Sequence, residues 1–204
     1  IMYTSGTTGL PKGAMLTHKS IIANTINQVI TERVREIDKI LTCTPLYHIA
    51  ATAPLLSHYY MGCTAVVLRE FTPVSVLEGI QNEKITYILL VPAMINFILQ
   101  VPNLRDYDLN SLELVTYGAA PISIGTIKDA MAKFGCAFMQ YFGQTEASPI
   151  LTRLLPHDHL PRSPEDKMER LNSAGKAMIN VEVKIFDQDD REVAPGIVGE
   201  IVAR

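Results

Sequence analysis

The chain has 204 residues, 48% hydrophobic and 19% charged, with a formal net charge of -3, enough to bury a sizeable core in one or two domains. That balance leaves no basic footprint for nucleic acid and no like-charge tail, and no apolar run is long enough for a transmembrane segment. Three scattered cysteines, Cys43, Cys63 and Cys136, form no CxxC pair and argue against disulfides and structural zinc; with no leader-like opening, the chain reads as cytoplasmic.

The opening stretch IMYTSGTTGLPKG begins with strand-favouring residues and runs into Thr4, Ser5, Gly6, Thr7, Thr8 and Gly9, then Pro11, Lys12 and Gly13. Glycines let backbone N–H groups turn toward a ligand, hydroxyls add donors, and Lys12 supplies positive charge. A polyphosphate needs that chemistry, although hydroxyl and glycine runs also make ordinary solvated loops. The Walker A pattern fails, because Lys12 follows Pro11 and precedes Gly13. Residues 17–31 carry Ile21, Ile22, Ile26, Val29 and Ile30 at helical spacing, which predicts a helix capped by Thr17 with an apolar face.

Downstream, strands are predicted at 40–44, 64–68, 85–91, 112–117 and 137–141, with helices at 50–60, 74–82, 93–101 and 124–134. This alternation implies an α/β fold with a largely parallel sheet covered by helices on both faces. Ligands on such sheets bind at the carboxyl ends of strands. The chemically informative loops, 4–13, 45–48, 118–121 and 142–146, all follow strands and would meet in one cleft. Residues 1–156 read as this α/β unit, 157–172 as a charged, mobile surface loop or linker holding an exposed His157-x-His159, and 173–204 as the start of a β-rich subdomain. Taken alone, Thr145 and Glu146 would also suit a helix N-terminus, as cap and dipole partner.

TSGTTGLPKG resembles the signature phosphate loop of the adenylate-forming enzymes, the superfamily of acyl-CoA synthetases, luciferases and peptide-synthetase adenylation domains. Its ten consecutive matching positions are more specific than a lone glycine pattern, and later segments match in order. The resemblance implies that loop 4–13 holds the leaving pyrophosphate of ATP, with Lys12 near the β and γ phosphates. In QYFGQTEAS it implies that Glu146 engages Mg²⁺, that Thr145 contacts phosphate beside Gly143, and that Phe142 stacks on adenine. The family most often has tyrosine at that position; phenylalanine keeps the stacking face without the hydroxyl. Gly118, Ala119, Ala120 and Pro121 resemble the small-residue segment along the adenine and acyl pocket. In PLYH, Tyr47 and His48, with Gly118, would line the passage between acyl and thiol sites.

The implied function is that of an ATP-dependent acyl-CoA synthetase, which joins a small-molecule carboxylic acid to coenzyme A through an acyl-adenylate, using ATP and Mg²⁺. PLYH offers tyrosine and histidine where amino-acid adenylation domains carry an aspartate for the α-amine, which favours an acid without an α-amino group. An amino-acid adenylation domain and a non-catalytic nucleotide-binding module remain the alternatives. The resemblance also makes the chain an internal piece of the large N-terminal domain. It would lack the ribose-binding aspartate, the hinge and the C-terminal lysine, would not turn over alone, and could associate through faces that those parts cover.

Overall fold

The computed structural model describes residues 1–5, 9–163 and 165–204. Strand β1 (Met2–Thr4) pairs antiparallel with β2 (Lys12–Ala14), Thr4 opposite Lys12, a β-hairpin that sets the residues on either side of the hydroxyl and glycine run next to each other. The return strand carries one buried residue, Ala14, and therefore shows no alternating signature in the sequence. Helix α1 (His18–Glu32) starts at the expected cap. Thr17 Oγ1 accepts from the Ser20 N–H at 3.0 Å while Ser20 Oγ accepts from the Thr17 N–H at 3.2 Å, a reciprocal capping box.

Strands and helices then alternate: β3 (Lys39–Thr42), α2 (Ile49–Tyr60), β4 (Thr64–Val67), α3 (Pro73–Glu83), β5 (Tyr87–Leu90), α4 (Pro92–Leu99), β6 (Leu114–Gly118), α5 (Ile124–Phe134) and β7 (Ala137–Gly143). With β8 (Ile150–Leu154) and β9 (Lys176–Ala177) they build a seven-stranded sheet in the order β4-β3-β5-β6-β7-β8-β9. Pairing is parallel from β4 through β7 and antiparallel across β8 and β9. The mixed α/β fold with a mostly parallel central sheet is the one the alternation predicts. Strand β8 lacks alternation because four of its five residues are buried, and β9 carries the main sheet to Ala177. Strands β10 (Val183–Phe186) and β11 (Glu200–Ala203) form a separate antiparallel pair.

Successive strand side chains face opposite ways, and this divides the core. Ile88, Leu90, Val115, Tyr117 and Phe138 pack against Val76 and Leu77 of α3, Ile95 and Ile98 of α4, and Ile127 of α5. Each such fully buried aliphatic chain contributes roughly 2 kcal/mol of hydrophobic stabilisation. Tyr87, Thr116 and Tyr141 point the other way, toward α1 and α2.

Two expectations need correction. The isoleucines of α1 do not form its buried face: Ile22 and Ile30 are 49% and 52% exposed, whereas Asn24, Asn27 and Gln28 are buried. Their amide NH2 groups or oxygens find partners, except Gln28 Oε1, which has none among the described residues. Asn24 Nδ2 donates to the Ile150 carbonyl at 2.9 Å, Gln28 Nε2 to Asn24 Oδ1 at 3.3 Å, and Asn180 Nδ2 to Asn27 Oδ1 at 3.3 Å. In segment 157–172, expected as a mobile surface loop or linker, the described residues include short 3-10 turns, Pro156–His159 and Glu169–Asn172, and His159, Met168 and Leu171 are buried. The charges there bind one another: Arg170 Nη1 donates to Asp166 at 2.6 Å and its Nε to the Asp158 carbonyl at 2.7 Å. His159, expected as exposed, is buried: its Nε2 meets Tyr117 Oη and its Nδ1 the Leu155 carbonyl, both at 2.9 Å.

Candidate active site

A cleft of about 810 Å³ opens at the carboxyl ends of β5, β6 and β7, beside the β1–β2 hairpin. All four polar loops reach it. Thr4, Ser5 and Lys12 come from the hairpin, Tyr47 and His48 from the turn before α2, Gly118 and Ala119 from the end of β6, and Phe142, Gly143, Thr145 and Glu146 from β7 and the 3-10 turn after it. Gly9 and Ala120 are exposed and outside its lining. Gly6, Thr7 and Thr8 lie outside the described residues.

The hairpin and the Thr-Glu turn touch directly. Thr4 Oγ1 donates to Glu146 Oε1 at 3.5 Å across 142 positions of sequence, and Thr4 Oγ1 is also 3.5 Å from the Lys12 carbonyl. The 3-10 helix Thr145–Ala147 has Gln144 at its cap and no side-chain cap bond, so Thr145 does not act as cap and its hydroxyl stays available. His48 caps α2: its Nδ1 accepts from the Ala50 N–H at 3.2 Å, which puts the ring proton on Nε2. Its ring is exposed, as is Tyr47, so both side chains are presented to the cleft.

The small residues have a neighbour-strand reason as well as a ligand one. A Cβ on Gly118 would stand 2.2 Å from the Tyr141 carbonyl oxygen, and one on Gly143 would stand 1.9 Å from that of Pro149. Ala119 has a left-handed φ of 66°, a backbone strained for alanine, held at the cleft wall. Phe142 is half-buried in the lining, with its aromatic face available for stacking.

Among the described residues no three His, Cys, Asp or Glu side chains cluster into a metal cage. Glu146 is instead a lone exposed carboxylate beside hydroxyls, and that donor set fits Mg²⁺, which takes one or two carboxylates and keeps phosphate oxygens and water as its other ligands.

The motifs did not foresee the apolar residues of the cleft lining, among them Ala53, Pro54, Leu89 and Ile150, nor Tyr141 beside them. The small-residue run IAATAP on α2 carried their only local signal. Nor did they foresee two buried clamps behind the wall. Tyr117 donates to neutral His159, whose pKa burial pushes down. Tyr141 Oη donates to Glu32 Oε1 at 2.7 Å. The thiols play no part: burial pushes Cys43 and Cys136 up to about 12.

The family model of the AMP-binding enzymes matches residues 1–204, the whole chain. The chain belongs to the AMP-binding enzyme family. Its relatives in that family include the medium/long-chain-fatty-acid–CoA ligase FadD8 of Mycobacterium tuberculosis, 37% identical over 98% of this chain and 34% of that protein. The indoleacetate–CoA ligase of Aromatoleum aromaticum is 33% identical over 100% of the chain and 38% of its own length. Among solved AMP-binding structures, the O-succinylbenzoate coenzyme A synthetase of Bacillus subtilis, in complex with ATP and magnesium ion, superposes with a TM-score of 0.85 at 28% identity, covering 100% of this chain and 40% of that one. The chain thus spans little more than a third of the length of the curated AMP-binding relatives it matches.

Proposed function

We propose that the protein carrying this chain is an ATP-dependent acid–thiol ligase. A carboxylate attacks the α-phosphorus of ATP and pyrophosphate leaves; the thiol of coenzyme A, losing its proton, then attacks the acyl-adenylate carbonyl, forming the thioester and releasing AMP. The observation that carries the reading is the meeting of the phosphate hairpin with the Thr-Glu turn, Thr4 against Glu146, in a cleft that also holds Lys12 and Phe142. The ligand names of the two relatives, an alkyl and an aryl acid, and the ATP and magnesium ion of the solved synthetase support it.

In this reading the chain's own residues mainly position and neutralise. Hairpin residues Thr4 and Ser5, with Gly6, Thr7, Thr8 and Gly9, hold the pyrophosphate end, and Lys12 adds charge beside it. Thr145 donates to phosphate, Glu146 holds the metal ion, and Phe142 with Gly118, Ala119 and Ala120 flanks adenine. Mg²⁺, when bound, shields phosphate charge and sharpens the leaving group. Tyr47, His48 and Gly118 border the route by which acid and thiol meet. Glu146 is the sole carboxylate among the described cleft residues, so a substrate ammonium group would compete with the metal for it; this favours an acid without an α-amine. The protein acts in the cytoplasm, and the chain by itself does not turn over.

Acid- and coenzyme A-dependent pyrophosphate release, compared between the longer protein and the chain, tests this. Release by the longer protein, abolished in Glu146→Gln, is expected. Release that ignores the acid, or turnover by the isolated chain at rates typical of enzymes, would contradict it.

A further inference from the structure

Glu32, at the end of α1, is a buried carboxylate that the ligase reading leaves unused. Its Oε1 accepts from Tyr141 Oη at 2.7 Å and from Tyr87 Oη at 3.2 Å, and Tyr87 Oη lies 2.7 Å from Thr116 Oγ1. Its other oxygen, Oε2, is buried without a hydrogen-bond partner among the described residues. Burial pushes the carboxyl from 4.5 up to about 7, against the two tyrosine hydrogen bonds, which lower it.

Glu32 and Tyr141 border different spaces. A pocket of about 280 Å³ opens at the amino ends of the parallel strands, with Glu32, His58, Tyr87, Asp38 and Glu113 in its wall. The active-site cleft lies at the carboxyl ends of the same strands; Tyr141 is in its lining and Glu32 is not. The Glu32–Tyr141 hydrogen bond therefore links the linings of the two openings along the α1 face of the sheet. Tyr141 is also the residue whose carbonyl sits against Gly118, so a change in how it is held reaches the glycine segment of the wall.

We propose that Glu32 is a positioning residue for the cleft: gaining or losing its proton through the smaller pocket sets how firmly Tyr141 is held in the cleft wall. An ionised carboxylate accepts a stronger hydrogen bond than a neutral acid does. Glu32 touches no substrate in this account and acts through the tyrosine. The consequence for catalysis rests on the reading of the cleft as the ATP and acid site; the coupling itself does not.

Other groups face this pair from each neighbouring element. The His58 ring of α2 stacks 4.4 Å from that of Tyr87 on β5, and Arg153 of β8 acts on Tyr141. At the pocket mouth Arg33 stands beside Arg35, which binds Asp38 at 2.6 Å and Glu113 at 2.7 Å. Burial pushes His58 below its usual range and both tyrosines well above theirs. Within this set burial carries the Glu32 carboxyl up to about 7.

Nuclear magnetic resonance of the chain, with isotope-labelled glutamate carboxylates and tyrosine rings, tests the proposal without any ligand. Glu32 is expected to titrate with a midpoint of about 7, and the Tyr141 ring signal to step at that midpoint. Glu32→Gln should abolish the tyrosine step. Tyr141→Phe should move the Glu32 midpoint upward, since the hydrogen bond that lowers it is gone. A Tyr141 signal flat across the neutral range, a step that survives in Glu32→Gln, or a Glu32 midpoint unmoved in Tyr141→Phe overturns the proposal. So does a step that disappears in His58→Gln and persists in Glu32→Gln. Failure of the longer protein to release pyrophosphate with acid and coenzyme A would count against the ligase reading and leave these titrations equally decisive.

Discussion

At the scale of single residues, the cleft wall is limited by carbonyl oxygens of neighbouring backbone. Gly118→Ala would drive a Cβ to 2.2 Å from the Tyr141 oxygen, a backbone atom with little freedom to yield. We expect this variant to lose roughly 2 kcal/mol or more of stability in urea unfolding; a loss below about 0.5 kcal/mol would contradict the tight approach. The site residues were legible in the sequence because they lie in short linear segments whose spacing the loop chemistry dictates. Glu32 and Tyr141 were not: they meet across 109 positions, and a glutamate at the end of an isoleucine-rich helix gives no sign of burial. Gly118 was legible as small, yet the reason for its size lies partly in the neighbouring strand.

Among elements, α1 departs most from its pattern. Its isoleucines promised an apolar stripe, but Asn24, Asn27 and Glu32 turn inward to partners on β8, β5, β7 and the 180 turn, and Gln28 bonds Asn24 on the same helix; among the described residues Gln28 Oε1 and Glu32 Oε2 stay unpaired. Asn24→Ala strips a buried hydrogen bond from the Ile150 carbonyl and should cost about 1–3 kcal/mol in thermal or urea unfolding. Thr17→Ala removes the capping box and should cost about 1 kcal/mol. Glu32 also gives the fold a pH signature. Its folded pKa of about 7 lies above its ordinary 4.5, so the folded state binds more protons between those values. Its contribution to stability is therefore greatest at low pH and falls as pH rises through that window, by about 3 kcal/mol in all. The stability difference between wild type and Glu32→Gln, followed by urea unfolding across that range, should show this slope; a pH-independent difference would refute it.

For the whole molecule, the order of strands and helices was legible because short apolar strand runs alternate with helical patterns, buried in β3, β5, β6 and β7 and largely exposed only at the edge strand β4. Strand β2 and segment 157–172 were not, since one is too short to alternate and the other hides Met168 and Leu171 among charges that pair with each other. Arg170→Ala should free that segment, and limited proteolysis should then cut within 157–172 at a site protected in the wild type. Equal protection in both would contradict the stapling role of Arg170. The central claim is that one cleft, assembled from the phosphate hairpin and the Thr-Glu turn, binds ATP with Mg²⁺. Calorimetric titration of ATP and Mg²⁺ into the wild-type chain, Lys12→Ala and Glu146→Gln tests it most directly. Saturable wild-type binding that weakens roughly tenfold or more in both variants, as loss of a charge-assisted contact implies, is the predicted result; binding unchanged in both would contradict it.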